Sequence, residues 1–324
     1  MDMNNIFSRN KLATLLIIIT VIMAAALGIF ATLFFVERGS KETQIIVQQV
    51  GSNTQSKVEE ESFELKEVIK KVEYNIIQAV AGEFGPVNEE ENRQAIEDTT
   101  KAIGQNKDDP MAHASRGGAK VNSGDYQGAI EDASTAIELD LNNALAYANR
   151  GVAYGLSEEY EKAIDDSTKA IQLDPNDALA YFNRGTAYSY LERYQEAIDD
   201  HNKSIQLDPN FAKAYNNRGV AYESLGEHEK AIDDYSKAIQ LNPNYVYAYN
   251  NRGNAYNDLG EYEKAIDDFN KAIELDLNDA FAYINRGAAY GDLGQYEKAK
   301  ADYRKALTID PDNELAKKNL AMLE

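Results

Sequence analysis

Residues Ala212 to Tyr245 read AKAYNNRGVAYESLGEHEKAIDDYSKAIQLNPNY, and this stretch decides the fold. Tyr215, Ala221 and Tyr222 fall at helical spacing, after which Leu225-Gly226-Glu227 ends the helix, because glycine accepts the left-handed conformation of a helix terminus. A second helix carries Ala231, Ile232, Tyr235, Ala238 and Ile239 at steps of three and four. It stops at Asn242-Pro243, since proline cannot continue a helix and restricts the residue before it. Asn244 and its equivalents are expected to cap the helix that follows. The stretch predicts two short helices joined by a tight turn.

The same pattern recurs on both sides. Arg116, Arg150, Arg184, Arg218, Arg252 and Arg286 stand 34 residues apart, each followed by Gly. Residues 110–313 divide into six units: 110–143, 144–177, 178–211, 212–245, 246–279 and 280–313. Two short helices cannot enclose a core, so each unit must bury its apolar face on its neighbours, and repetition predicts an all-α solenoid. The 21 Tyr find their reason here. Tyr147, Tyr181, Tyr215, Tyr249 and Tyr283 share one place in the unit. Tyr154, Tyr188, Tyr222, Tyr256 and Tyr290 share a second, and Tyr126, Tyr160, Tyr194, Tyr262 and Tyr296 a third. Rings at every interface with small Ala and Gly opposite describe packed helices whose hydroxyls reach the rim.

Both ends of the array read as ends. Residues 92–109 form a degenerate half repeat, with Asn92 to Ile103 matching a second helix. Residues 314–324 form a single helix, Leu315, Leu320 and Leu323 against Lys317, Lys318 and Asn319, suited to cover the last apolar face.

Each repeated Arg is followed after 16 residues by an Asp: Asp132, Asp166, Asp200, Asp234, Asp268 and Asp302. A guanidinium partly buried by packing is costly unless a carboxylate accepts its fork, so a structural ladder is expected, Arg150, Arg184, Arg218 and Arg252 pairing with Asp166, Asp200, Asp234 and Asp268. Whether pairs lie within or between units stays open. Asp98, with Gly82 in the place of its own Arg, argues for pairing with Arg116 next door, whereas Asp302 has only Arg286 available.

The unit resembles the tetratricopeptide repeat family, with Gly219, Ala221, Tyr222, Ala231, Tyr235, Ala238 and Pro243 at that family's places, across about two thirds of the chain. The resemblance implies a right-handed superhelix whose first helices line an inner groove holding peptides or protein segments. Mapped onto this chain, it puts Asn149, Asn183, Asn217, Asn251 and Asn285, the residues before each Arg, in that groove. Phe182, Asn216, Tyr247, Asn250 and Phe281 stand around them. A row of amides can hold an extended backbone, because an amide both donates and accepts. The other reading is that Asn was copied with its repeat and faces water. Two departures matter. Arg stands where the family more commonly has Leu, and Lys213 alone represents the basic groove of members that clamp an acidic carboxy-terminal tail, so that mode of binding is not expected here.

Upstream, residues 1–11 precede 25 residues without a charge, Leu12 to Val36. As a helix rising about 1.5 Å per residue they outrun a hydrocarbon core of about 30 Å, which predicts one transmembrane helix. A cleaved signal peptide is the rival, with Ala24-Ala25-Ala26 as its cleavage site. A retained anchor accounts better for the ten apolar residues beyond. Basic residues tie across the span, Arg9 and Lys11 against Arg38 and Lys41, and Glu37 and Glu42 tip the reading towards repeats on the extracytoplasmic side. In the connecting segment 37–91, Leu65, Ile69, Val72, Ile76 and Ala79 mark an amphipathic helix over 58–80, either a stalk that pairs copies or a helix docked on the repeats.

Composition sets the exclusions. With 33 Lys+Arg against 54 Asp+Glu the formal net charge is −21, which repels nucleic acid and favours neutral or basic protein partners. Without Cys there is no disulfide, thiolate metal site or thiol nucleophile. His113, His201 and His228 each replace an aromatic or packing residue in different units, so no metal site is expected, and no phosphate loop, nucleophile elbow or other catalytic motif occurs. The expectation is a membrane-anchored, non-catalytic scaffold without cofactor that binds a peptide or protein. The alternative is an assembly protein whose anchor, 58–80 helix and repeats make a homo-oligomer.

Overall fold

The computed structural model describes residues 89–324. The expected span at 12–36 and the 58–80 helix lie outside them. Every element among the described residues is a helix. α1 (Glu89–Gln105) leads into six hairpins. They are α2 (Pro110–Asn122) with α3 (Tyr126–Leu139), α4 (Ala144–Leu156) with α5 (Tyr160–Leu173), and α6 (Ala178–Tyr190) with α7 (Tyr194–Leu207). Then come α8 (Ala212–Ser224) with α9 (His228–Leu241), α10 (Val246–Asp258) with α11 (Tyr262–Leu275), and α12 (Ala280–Asp292) with α13 (Tyr296–Ile309). α14 (Glu314–Leu323) closes the array. No helix among the described residues is long and apolar enough to cross a membrane.

Helices of 13 and 14 residues are marginal alone, so packing must hold them. Alanine provides the contact. Ala112, Ala146, Ala180, Ala214, Ala248, Ala282 and Ala316 share one place in the period and are all buried. In the second helices Ala129, Ala163, Ala197, Ala231, Ala265 and Ala299 are at most 2% exposed, which lets backbones approach closely. Ala316 belongs to the first set, so α14 stands in the place of a first helix, and its Leu315, Leu320 and Leu323 pack on the apolar cluster of the sixth unit. α1 is longer than the expected 92–103, because Glu89, Glu90 and Glu91 extend its first turn, where carboxylates suit the positive helix end.

The turns divide the labour differently from the sequence reading. Asp109, Asn143, Asp177, Asp279 and Asn313 cap the helices after them, one residue later than Asn244 and its equivalents. Asn244 instead donates its backbone N–H to Asn242 Oδ1 at 3.1 Å, an Asx turn that follows the second helix. Within each hairpin one residue is left-handed: Gly124, Gly226, Gly260 and Gly294, but Glu158 at φ 62° and Glu192 at φ 59°. A side chain there costs about 1–2 kcal/mol.

Helix separation inside a hairpin is set beside the Arg. The Gly after it faces the residue after its partner Asp, and a Cβ on Gly219, Gly253 or Gly287 would stand 2.6 Å, 2.7 Å and 2.7 Å from the rings of Tyr235, Phe269 and Tyr303. Earlier units put Ala133, Ser167 and His201 at that place. His201 is the costly one. It is fully buried, neither ring nitrogen has a hydrogen-bond partner, and burial followed by the charge of Arg218 pushes its pKa from 6.5 down to about 3. The unfolded chain therefore takes a proton near pH 6.5 that the folded chain refuses, so stability present at neutral pH falls as pH drops through that window. Relative to His201→Phe, which copies Phe269, the wild type is expected to lose about 2 kcal/mol between pH 7.5 and pH 5. Denaturant titrations of both proteins at the two pH values measure this, and a gap that stays constant would refute it.

Candidate functional site

Consecutive first helices, α2, α4, α6 and onward, lie against one another, whereas consecutive second helices meet at most at isolated points. The array therefore closes up on the first-helix side. That face is the inner layer of the stack, and the site depends on what it leaves open.

The repeated Arg is not part of the open surface. Arg150 donates from Nε to Asp166 Oδ2 at 2.7 Å and from Nη2 to Asp166 Oδ1 at 2.9 Å. Arg116, Arg184, Arg218, Arg252 and Arg286 make the same two-pronged bond to Asp132, Asp200, Asp234, Asp268 and Asp302 at 2.6–2.8 Å. All six pairs lie within their own hairpin. Arg116 thus leaves Asp98, which accepts from Gln94 instead. The third nitrogen crosses the unit boundary: Nη1 reaches the side chains of Thr100, Ser134, Thr168, Asn202, Ser236 and Asn270, each 16 residues before its Arg, at 2.6–3.3 Å. The sequence reading missed this contact, although a short polar residue recurs there in every unit but the last, where Arg304 turns to Glu324.

Two Tyr bracket each fork. They stand three residues before and four after the Arg, on one helical face, with the guanidinium 5.4–6.0 Å from both rings in the last five units. Most of these Tyr are half-buried rather than enclosed, because one side of the ring covers the guanidinium. In the first unit His113 and Lys120 take their places, and Lys120 Nζ adds a contact to Asp132 at 2.9 Å. Burial raises the pKa of Asp132, but Arg116 and Lys120 together outweigh it and hold the carboxyl below its usual range. Hydrogen bonding to Asp166 similarly lifts Arg150 above the ordinary guanidinium value.

Much of the expected amide row is also spent inside the stack. Asn149 Nδ2 donates to the Ala114 carbonyl at 3.0 Å, Asn217 to Thr186 Oγ1 at 3.2 Å, and Asn251 to Asn216 Oδ1 at 3.1 Å. Asn216 donates in turn to Asn217 Oδ1 at 3.2 Å. The first three bonds tie one first helix to the next, and Asn216, Asn217, Asn250 and Asn251 are at most 5% exposed. Phe182 is fully enclosed, 4.8 Å from the Phe211 ring and 5.5 Å from His201. None of these five touches a groove occupant as packed here. The first helices run so close that the residue before the Arg meets its neighbour before it meets solvent. Asn149, Asn183 and Asn285 are half-buried, as are Tyr247 and Phe281.

Those last two line a cavity of about 650 Å³ where the starts of α8, α10 and α12 meet the end of α13. Its aromatic wall is Phe211, Tyr245, Tyr247 and Phe281, and its charged groups are Asp276, Asp279 and Asp310 with Lys213. Tyr245 meets Tyr247 edge-on at 5.9 Å. Asp279 is buried, caps α12 through Ala282 N–H at 3.1 Å, and accepts from Asn250 Nδ2 at 2.5 Å. Burial lifts its pKa despite those bonds. Burial also raises Tyr247, and Asp279 and Asp276 add to it. The wall exists because Phe211 and Tyr245 occupy places where other units have a capping Asp or Asn, so α8 and α10 lack a side-chain cap. That substitution gives up about 1 kcal/mol of capping for an aromatic surface, and it was visible in the sequence as a break in the period. Rings beside carboxylates suit an apolar or cationic side chain.

The family model of the tetratricopeptide repeat matches residues 144–177, 178–211, 212–245, 246–279 and 280–313. The chain belongs to the tetratricopeptide repeat family. The TPR unit at 110–143 lies outside that match yet has the same hairpin and the same Arg116–Asp132 fork. Among solved structures, the TPR array resembles a chain of the APC/C hetero-tetramer Cut9–Hcn1, with TM-score 0.65 at 20% identity over 72% of this chain. It spans only 46% of that relative's length. It also resembles Pseudomonas aeruginosa pilF, with TM-score 0.59 at 18% identity over 68% of this chain and 99% of that one. YrrB, a TPR protein with an unusual peptide-binding site, matches at 28% identity over 58% of this chain and 97% of that one, with TM-score 0.48. No curated protein matches. The fold is that of a helical repeat scaffold, typically a non-catalytic interaction module.

The fate of the amides is open to measurement. Asn251→Ala is expected to lower stability by about 1–3 kcal/mol, because Asn216 Oδ1 loses its buried donor, whereas half-buried Asn285→Ala stays within about 0.5 kcal/mol. Urea denaturation of the two variants compares them, and equal midpoints would contradict the structural role of Asn251.

Proposed function

We propose that this TPR protein is anchored in a membrane through residues 12–36 and presents its repeats, on the extracytoplasmic side, as a docking surface for a neutral or basic segment of another protein. The observation that carries the reading is the cavity at α8, α10 and α12. It combines an aromatic wall with three carboxylates against Lys213, at the edge of the stack where first helices begin and second helices end. The net charge of −21 agrees with it, since an acidic surface steers cationic partners and does so less at high salt. Contact falls to Tyr247 and Phe281, the two expected groove residues that line the cavity. A Lys or Arg entering between Tyr247 and Asp276 would gain both a ring face and a counter-charge. The anchor rests on the 25 uncharged residues from Leu12 to Val36.

Random-peptide display against the detergent-solubilised full chain tests the docking surface. Selected peptides are expected to carry Lys or Arg beside apolar residues, and Tyr247→Ala with Phe281→Ala should weaken them at least tenfold while helical circular dichroism is unchanged. Failure to select any peptide, selection of acidic ones, or undiminished binding by the double variant would each overturn it, and self-association of the chain on the same face would replace it with the assembly role. A reporter fused after Glu324 and assayed on both sides of the membrane is expected to be active on the extracytoplasmic side. Activity on the cytoplasmic side would reverse the orientation, and a soluble fusion would remove the anchor.

A further inference from the structure

We propose that Glu223, His228 and Asp258 form a binding site for a divalent transition-metal ion such as Zn²⁺, which staples the fourth repeat unit to the fifth. Glu223 lies in the last turn of α8, His228 opens α9 across the hairpin turn, and Asp258 ends α10 of the next unit. A ring nitrogen of His228 and a carboxylate oxygen from each acid all lie within 4.8 Å of one another. Zinc bonds of about 2.0–2.2 Å put donors roughly 3.3–3.6 Å apart in a tetrahedron. Closure therefore needs a movement of about an ångström, and Asp258, which is exposed, has the room to make it.

Three further observations separate this cluster from a chance meeting of surface charges. The first is support for the ligand. The hydroxyl of fully buried Tyr235 donates to Glu223 Oε2 at 2.7 Å, orienting that carboxylate from behind as partners of metal ligands do. The second is His228 itself, whose Nδ1 is enclosed and has no hydrogen-bond partner. The third is the break in the repeat. The residues at the place of Glu223 in other units are Val121, Gly155, Ser189, Asn257 and Gly291, and at the place of His228 they are all Tyr. Glu and His enter together in one unit, where the next unit supplies Asp258. One imidazole with two carboxylates favours a borderline ion over Mg²⁺ or Ca²⁺, which take oxygen ligands. The remaining coordination positions are left to water or a partner's donor. The site is independent of the cavity and of the docking proposal.

Titration calorimetry and thermal melts of the untagged, chelator-treated full chain with ZnCl₂ test it. One Zn²⁺ per chain is expected, with a raised melting temperature and no comparable response to MgCl₂. His228→Tyr restores the residue of the other five units and so keeps the fold while removing a ligand, and it should weaken binding at least tenfold. Tyr235→Phe, which copies Phe269, should weaken it by roughly tenfold through the lost support. His113→Ala should leave it unchanged. No Zn²⁺ binding by the wild type, or His228→Tyr binding as tightly as the wild type, would overturn the proposal.

Discussion

The two-pronged bond between Arg and Asp inside each hairpin is the constraint on which the rest of the array depends. A planar fork reaches both carboxylate oxygens only at one separation and one register of the two helices, so it specifies the hairpin as well as stabilising it. The neighbouring Gly makes that separation attainable, since a Cβ on Gly219 would collide with Tyr235. Breaking one side of a buried pair generally costs about 3–5 kcal/mol, which fits an Arg and an Asp that never vary across six units. The third guanidinium nitrogen fastens each hairpin to the unit before it. One side chain thus serves both terms of a repeat protein's stability, the unit and the interface.

In such a lattice the period acts as an internal control, and departures from it mark places with another purpose. Phe211 and Tyr245 stand where a capping Asp or Asn belongs, and together with Tyr247 and Phe281 they build the aromatic wall of the cavity. Glu223 and His228 enter where other units have small, amide or Val residues and Tyr, and they meet a carboxylate from the next unit. His201 is a departure of another kind. It fills a packing place with a group that finds no partner, and its consequence is a pH-dependent weakness rather than a site.

The sequence was most legible where structure depends on near neighbours in the chain. Helix spacing, the left-handed turn at Gly226 and the stop before Pro243 all act over a few residues, and the hairpins follow from them. The cap was misplaced by one residue because neighbours such as Asn176 and Asp177 or Asn278 and Asp279 offer the same chemistry, and only backbone geometry decides which of them caps the helix. The choice between Asp98 and Asp132 for Arg116 was not legible either. Carboxylates stand 18 residues before and 16 after the same Arg, and a periodic sequence treats both alike.

By itself the sequence determined the helices, their order, the 34-residue period and the places where it breaks, because each is written in spacing along one chain. Tertiary structure decided which identical residues stay open. Asn251 and Asn285 are equivalent in every unit, yet one is sealed by Asn216 of the neighbouring helix and the other is half-open. That distinction depends on how closely first helices approach across units, 30–35 residues apart in the chain, and helical periodicity specifies which face a residue occupies but not what is pressed against that face.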